Sequence, residues 1–437
     1  MRDEMEAAAR RLADGTPLAE ALDVSSATAW IALDEHVRTE LRWRRAAAGR
    51  TWRAATFSGV AEPGPSAVAL ALCDPDGRVR EAALAPAGAE PSLLPLIAIR
   101  CADWVAPVRD GARALLRAAL PGAGAAAMPV LAAVILRAGV RLRGDAAREL
   151  LESALRRCDA VTLDAVLASE DRAGRRLAHR VAVERGHFSP ARLAEIAARE
   201  GDVVIQDVCS EAALAGSGTG TGDEVLLPLL RSRQSRVRSA GVTALHRTGL
   251  HARAEPFLYD RSSMVRACAR WVMRQDGRDP VELYRARCGD GDVPAGAPIG
   301  LAESGSRADA ALLWPLTGHP LAVVRAQAVA GLRVLEAQDL QRLAPLLDDP
   351  APGVVREAVA ALVPWAHLLR DEELTLRLAP DLPRHIRVGA FRLLVARGGP
   401  AYGEGVRMLV DDAEPKLRAR ARAVVGRTAP AGRRRAE

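Results

Sequence analysis

Residues 73–84 read CDPDGRVREAAL and set Asp74 six positions ahead of Arg80. An acid and a base at fixed spacing can be a catalytic pair, a ligand clamp or an internal brace, so the first test is whether the spacing recurs. Other residues with chemical potential are thinly spread. The eight histidines (His36, His179, His187, His246, His251, His319, His367 and His385) form no H-E-x-x-H and no ligand spacing with the six cysteines. Asp290 and Asp292 in CGDGD are two carboxylates, well short of a calcium shell. GSGTGTG at 216–222 lacks the G-K-[ST] ending of a phosphate loop and reads as a plain connector. No G-x-S-x-G nucleophile signature is present. The sequence therefore assigns no catalytic residue, no metal site and no cofactor, and the expectation is a non-enzyme.

Two basic segments are candidate contacts. RWRRAAAGRTWR mixes Arg42, Arg44, Arg45, Arg50 and Arg53 with Trp43 and Trp52, a combination suited to phosphate contact and base stacking. The bland alternative is an amphipathic cap with packed tryptophans and solvated arginines. Near the C-terminus, Arg433, Arg434 and Arg435 could meet nucleic acid or an acidic partner, or simply be solvated. Residues 416–437 carry eight bases and one acid, whereas the other 415 residues carry 53 of each, so the body of the chain is neutral. Lys416 is the only lysine, and the preference for Arg beside so much Ala and Gly points to GC-rich coding more than to phosphate recognition.

The elements that hold these residues come from a repeat. At 437 residues the chain exceeds one ordinary core unless it grows along one axis. Relatives of the opening stretch begin at Cys101, Arg231, Tyr259, Gly318, Asp348, Pro380 and Asp411. They align Arg80, Arg109, Arg238, Arg266, Arg325, Arg356, Arg387 and Arg418, with neighbouring steps of 28 to 31 residues. Weaker units from Arg141, Glu170, Gly201 and Asp292 fill the gaps, for about a dozen units of the size of one helix pair. Proline falls ten residues before the arginine at Pro228, Pro256 and Pro315, where it kinks or ends a first helix. In the Arg356 unit the acid, Asp349, lies seven residues before the arginine instead of six, which reads as one residue inserted in the turn DDPAPG. His319 stands where five other units have the turn aspartate and is expected to take the same structural role.

Each unit reads as a first helix, a polar turn and a second helix starting near V-R. Aromatics at 3% leave Ala, Leu and Val to build the core, which suits closely packed helices. The expected fold is all-α, an armadillo-type solenoid of stacked antiparallel helix pairs. Residues 1–60 form a helical cap in which Ser26 caps a helix with Trp30, Leu33, Val37 and Leu41 on one face, residues 61–425 the array, and residues 426–437 a disordered basic tail. The first residues lack the apolar run of a secretory signal and no stretch is long enough to span a bilayer, so a soluble, cytoplasmic monomer with no membrane partner is expected.

The D-x-x-x-x-V-R-x-x-A core at Asp74/Arg80, Asp103/Arg109, Asp260/Arg266, Asp381/Arg387 and Asp412/Arg418, with Ile386 and Leu417 in place of the valine in the last two, resembles HEAT repeats, in particular the short bacterial phycobiliprotein-lyase HEAT-like repeats. The resemblance implies that turn acid and helix-start arginine brace adjacent repeats, and leads to the expectation that Asp103, Asp260, Asp381 and their arginines form a ladder. It also implies a scaffold for protein–protein interaction. Two rival functions follow from related families. One is nucleic-acid binding like that of the alkylpurine DNA glycosylases built on HEAT-like repeats, for which Trp30 and Asp34, four apart on a helix, would be the pair to inspect. The other is a bilin lyase or isomerase, for which no spacing here suggests a chromophore site.

Overall fold

The computed structural model describes residues 2–47, 63–140, 143–215 and 222–428. It consists of two compact units, residues 1–216 and 217–437, divided in the segment read as a Gly-rich connector. Among the described residues there are helices and no strands. In the first unit α1 (Arg2–Ala13), α2 (Leu18–Ala21) and α3 (Ala27–Ala47) precede five helix pairs. These are α4 (Pro65–Leu72) with α5 (Gly77–Gly88), α6 (Leu94–Arg100) with α7 (Ala106–Ala119), α8 (Met128–Ala138) with α9 (Asp145–Arg157), α10 (Ala160–Leu167) with α11 (Arg172–Glu184), and α12 (Pro190–Arg199) with α13 (Val203–Ala215).

The second unit has seven pairs among its described residues. They are α14 (Asp223–Leu230) with α15 (Ser235–Arg247), a 3₁₀ helix His251–Tyr259 with α16 (Ser263–Gln275), α17 (Pro280–Gly289) with α18 (Ala297–Ser304), and α19 (Ala310–Leu316) with α20 (Ala322–Val334). Next come α21 (Leu340–Leu343), running into the 3₁₀ turn Ala344–Asp348, with α22 (Pro352–Leu362), then the 3₁₀ turn Val363–Leu368 and α23 (Asp371–Leu376) with α24 (Arg384–Arg397), and finally α25 (Gly399–Leu409) with α26 (Pro415–Thr428). Each unit is a one-dimensional all-α solenoid. Successive second helices such as α5, α7, α9, α11 and α13, or α20, α22 and α24, pack side by side, and the core between layers is built almost wholly of Ala, Leu, Val and Ile.

The landmarks act as their chemistry requires. Pro228 and Pro315 sit inside α14 and α19 and keep these first helices to two turns, while Pro256 lies in a first helix that is 3₁₀ throughout. Pro107 and Pro415 occupy the first turns of α7 and α26, where no N–H partner is lost. In the cap, Ser26 Oγ accepts the amide of Ala29 at 3.3 Å and Trp30, Leu33 and Val37 are buried, as the pattern predicts. Helix α26 continues to Thr428, three residues past the boundary drawn at 425.

The Asp/Arg motif is a brace with three parts. First, the turn acid accepts the amide two residues on, which caps the second helix: Asp74 from Asp76, Asp103 from Val105, Asp260 from Ser262, Asp349 from Ala351 and Asp412 from Glu414, at 2.7 to 3.0 Å. His319 Nδ1 and Ser232 Oγ accept the same bond in their units, so His319 does take the aspartate's role. Second, the arginine donates Nη1 to the carbonyl six residues back: Arg80 to Asp74, Arg109 to Asp103, Arg238 to Ser232, Arg266 to Asp260, Arg325 to His319 and Arg418 to Asp412, at 2.6 to 3.1 Å. Gln206 makes the same bond to Glu200 in a weaker unit. Third, the rest of the guanidinium reaches the next unit's acid, as bidentate pairs Arg80–Asp103, Arg238–Asp260 and Arg325–Asp349 and as Arg387–Asp412. Arg266 reaches Glu303 instead, where the degenerate unit supplies an acid from a helix rather than from a turn.

Two expected rungs are absent. Among the described residues Arg109 pairs only with neighbouring Asp110, at 3.5 Å, and not with a turn acid of the next unit. Asp381 is exposed and makes no ion pair among the described residues, contrary to the expectation that it joins the ladder. Two residues after Asp381 stands Pro383, the N-cap of α24, which has no amide N–H to donate back to Asp381.

Candidate docking groove

The missing rung at Asp381 begins one unit earlier, at Arg356. Helix α22 is capped by Ala351, two residues after Asp349, the same interval found in the other units, so the turn DDPAPG contains no inserted residue. The expectation of an insertion is therefore corrected. The extra residue lies in the helix, where Val355 takes the ladder position six after the acid and is buried. One residue is about 100° of helical rotation. Arg356 is thereby carried off the ladder and onto an open face, with its side chain 69% exposed and, among the described residues, paired only with adjacent Glu357 at 3.1 Å.

That face is part of a groove of about 870 Å³ formed by α22, α24 and α26. Its floor is Val355, Val359, Val388 and Phe391, with half-exposed Val395 at one edge. Gly389 allows α24 to approach α22 closely: a Cβ there would stand 3.0 Å from a Val359 methyl and 3.1 Å from a Val355 methyl. Around the floor stand Arg356, Arg384, His385, Arg392 and Arg420, and among the described residues no carboxylate is part of the lining, although Glu357 and Glu414 sit behind Arg356 and Arg384. Arg384 has a salt bridge to Glu414 at 3.2 Å, and His385 Nε2 bonds to the Asp349 carbonyl at 3.2 Å, which fixes its ring against the preceding turn. Arg392 and Arg420 are exposed and make no ion pair among the described residues. The arrangement offers an apolar trough with a cationic rim. Such a surface suits a chain segment that buries an apolar side chain and carries negative charge beside it.

The ladder next to the groove is electrostatically firm. Burial alone would push the Asp349 carboxyl up, but Arg325, the Ala351 amide and nearby His385 together hold it below its ordinary range. Asp412 is likewise held low against burial, by the Glu414 amide and Arg387. Both are committed to their braces, so neither carboxylate is drawn to Arg392 or Arg420, the two rim arginines without an ion pair among the described residues.

The residues singled out from sequence lie elsewhere. Arg42, Trp43, Arg44 and Arg45 fall on the last turns of α3, and Arg50, Trp52, Arg53, Arg433, Arg434 and Arg435 lie outside the described residues. Trp30 and Asp34, the pair that a glycosylase-like reading needs beside an open groove, are interior residues, each 1% exposed. Trp30 Nε1 donates to the Val24 carbonyl at 3.0 Å, and Asp34 binds Arg100 at 2.5 Å. They are structural. The groove escaped the sequence because its residues come from three units and Arg356 reaches its rim only through the phase shift at Val355; the seven-residue spacing from Asp349 to Arg356 is the trace of that shift in the sequence.

No family model and no curated protein matches the chain. Among solved structures it is similar to karyopherin Kap121p, free (13% identity, TM-score 0.33, covering 90% of this chain and 49% of that one) and bound to Nup53p (12%, 0.33, 79% and 47%). It is also similar to Kap121p bound to RanGTP (13%, 0.32, 82% and 48%). The chain spans about half the length of these proteins. At that level of likeness the karyopherin's ligands say nothing about this chain.

Proposed function

We propose that this protein is a non-enzymatic interaction scaffold, a cytoplasmic monomer with HEAT-like repeats, whose α22/α24/α26 groove takes an acidic segment of a protein partner anchored by an aliphatic or aromatic side chain. The observation that carries this reading is the groove itself: apolar floor, arginine rim and, among the described residues, no lining acid. Charge complementarity selects the sign of the partner, and the valine and phenylalanine floor selects a peptide over a phosphate backbone, which would leave that apolar surface uncovered. The brace supports the same role. Where it closes beside the groove, at Arg325–Asp349 and Arg387–Asp412, it ties α20's unit to that of α22 and α24's unit to that of α26, and a docking surface spread over three helices requires such support.

The test is selection from a random peptide library on the full-length chain, followed by titration of the selected peptides. Sequences combining Asp or Glu with a Leu, Phe or Trp anchor should be enriched. Their affinity should fall about tenfold or more in the double variant Arg392→Glu/Arg420→Glu, and should fall with rising salt. Recovery of peptides without acidic enrichment, or unchanged affinity in the double variant, would refute the assignment. Displacement of the peptide by duplex DNA at equal charge concentration, and not by a polyanion without bases, would move the groove to nucleic acid.

A further inference from the structure

A second site lies in the same unit, at the ends of helices remote from the arginine ladder. The turn from α15 into the following 3₁₀ helix brings His246 and His251 together, with His246 Nδ1 3.1 Å from His251 Nε2, ring centroids 5.2 Å apart and the ring planes tilted by 37°. The turn is set by Gly249, whose φ of +70° lies in the left-handed region that favours glycine. From the neighbouring pair, Asp276 at the end of α16 holds His251 by an Nδ1 to Oδ1 contact of 3.2 Å. Trp271 of α16 packs its ring against His246 edge-on at 4.9 Å.

These contacts fix the tautomer of one ring. A proton on His251 Nδ1 is required to reach the Asp276 carboxylate, so the neutral ring presents its Nε2 lone pair to His246. A carboxylate behind one imidazole nitrogen, with the other nitrogen free to ligate, is the arrangement that orients metal-binding histidines. Zinc bonds to imidazole nitrogen at about 2.0–2.1 Å, and two such bonds at the tetrahedral angle put the nitrogens about 3.3 Å apart. The observed 3.1 Å is within about 0.3 Å of that value. Both rings are partly exposed, which gives a cation and its remaining water ligands access.

We infer that His246 Nδ1 and His251 Nε2 form a two-histidine binding site for a borderline divalent cation of the Zn²⁺ class, with Asp276 as the positioning residue. Binding replaces the N–H···N contact between the rings with two metal–nitrogen bonds. The proton leaves Nδ1 of His246, and Nε2 of the same ring takes one up, so both imidazoles ligate in neutral form. Among the described residues no group of three His, Cys, Asp or Glu side chains could hold a metal ion, so the protein supplies two ligands and water completes the shell.

Titration of the full-length protein with Zn²⁺ by calorimetry should reveal one equivalent that is lost in His246→Gln and in His251→Gln. Asp276→Asn should retain the equivalent but weaken it about tenfold. Cu²⁺ serves as a second probe: paramagnetic resonance should show coupling to two nitrogens in the wild type and to fewer in either histidine variant. Circular dichroism checks that the variants keep their helices, and if one does not, the wild-type Cu²⁺ spectrum decides. Absence of a zinc equivalent, its persistence in the histidine variants, or a Cu²⁺ spectrum with fewer than two coupled nitrogens would overturn the assignment.

Discussion

Replacing Asp103 by alanine tests whether the ladder is a structural brace. Asp103 receives Arg80 Nε at 2.9 Å and Nη2 at 2.7 Å, Arg100 Nη1 at 3.3 Å and the Val105 amide at 3.0 Å. The side chains of Asp103, Arg80 and Arg100 are at most 1% exposed. Arg100 keeps Asp34 in the variant, but Arg80 keeps the Asp74 carbonyl and the Trp104 ring and loses its bidentate carboxylate, so one buried guanidinium is left without that counter-charge. Breaking a buried pair from one side costs about 3–5 kcal/mol. For a unit of this size each kcal/mol is worth about 2–4 °C in midpoint, so the transition of the first unit should fall by about 10 °C. Helical circular dichroism against temperature and urea measures the loss, and limited proteolysis assigns it to residues 1–216, since repeat arrays need not unfold in one step. The exposed pair Arg253–Asp223 is the control, and Asp223→Ala should cost no more than about 1 kcal/mol. The double variant Arg80→Met/Asp103→Leu should recover much of the loss, because it removes both charges and keeps the volume. An Asp103→Ala variant as stable as the Asp223→Ala control would refute the brace.

Further outcomes can be checked separately. Acid titration should destabilise the second unit: Arg285 holds Asp309 low, and against burial Arg325 holds Asp349 low, Arg266 and Arg270 hold Glu303 low, and the Glu414 amide with Arg387 holds Asp412 low. A carboxyl depressed in the fold contributes stability above its unfolded value, so stability should begin to fall below about pH 4 and go on falling as the folded values are passed, read by denaturant midpoints against pH. Gly300→Ala should cost about 1–3 kcal/mol, because a Cβ there meets the Tyr284 ring at 2.3 Å and that ring is buried with its hydroxyl on the Leu258 carbonyl; equal midpoints would contradict this packing. Thiol titration of the native protein should find Cys158 and Cys268 accessible and the other four slow until denaturant is added. Burial pushes Cys101, Cys209 and Cys288 up to about 12 and Cys73 well above its ordinary value.

The sequence by itself determined what is local and repeated. Unit length, proline placement, the cap at the second helix and the bond from arginine to the carbonyl six residues back all lie within one turn and one helix start, so spacing alone encodes them. It also showed that Asp74 and Arg80 cannot be a catalytic pair, since the motif recurs. Tertiary structure decided the rest, because each remaining question joins residues from different units. The spacing of Asp349 and Arg356 is visible in sequence, but the extra residue could lie in the turn or in the helix. Only the capping bond to Ala351 places it in the helix, and only then does Arg356 rotate out to meet Arg392 and Arg420 across three second helices. Burial worked the same way in reverse: Trp30 and Asp34 share a helix face by spacing, and the packing of α3 against its neighbours turned that face into core. A one-residue change of helical phase costs little locally, and in a stack of repeats it decides whether an arginine closes a brace or opens a groove.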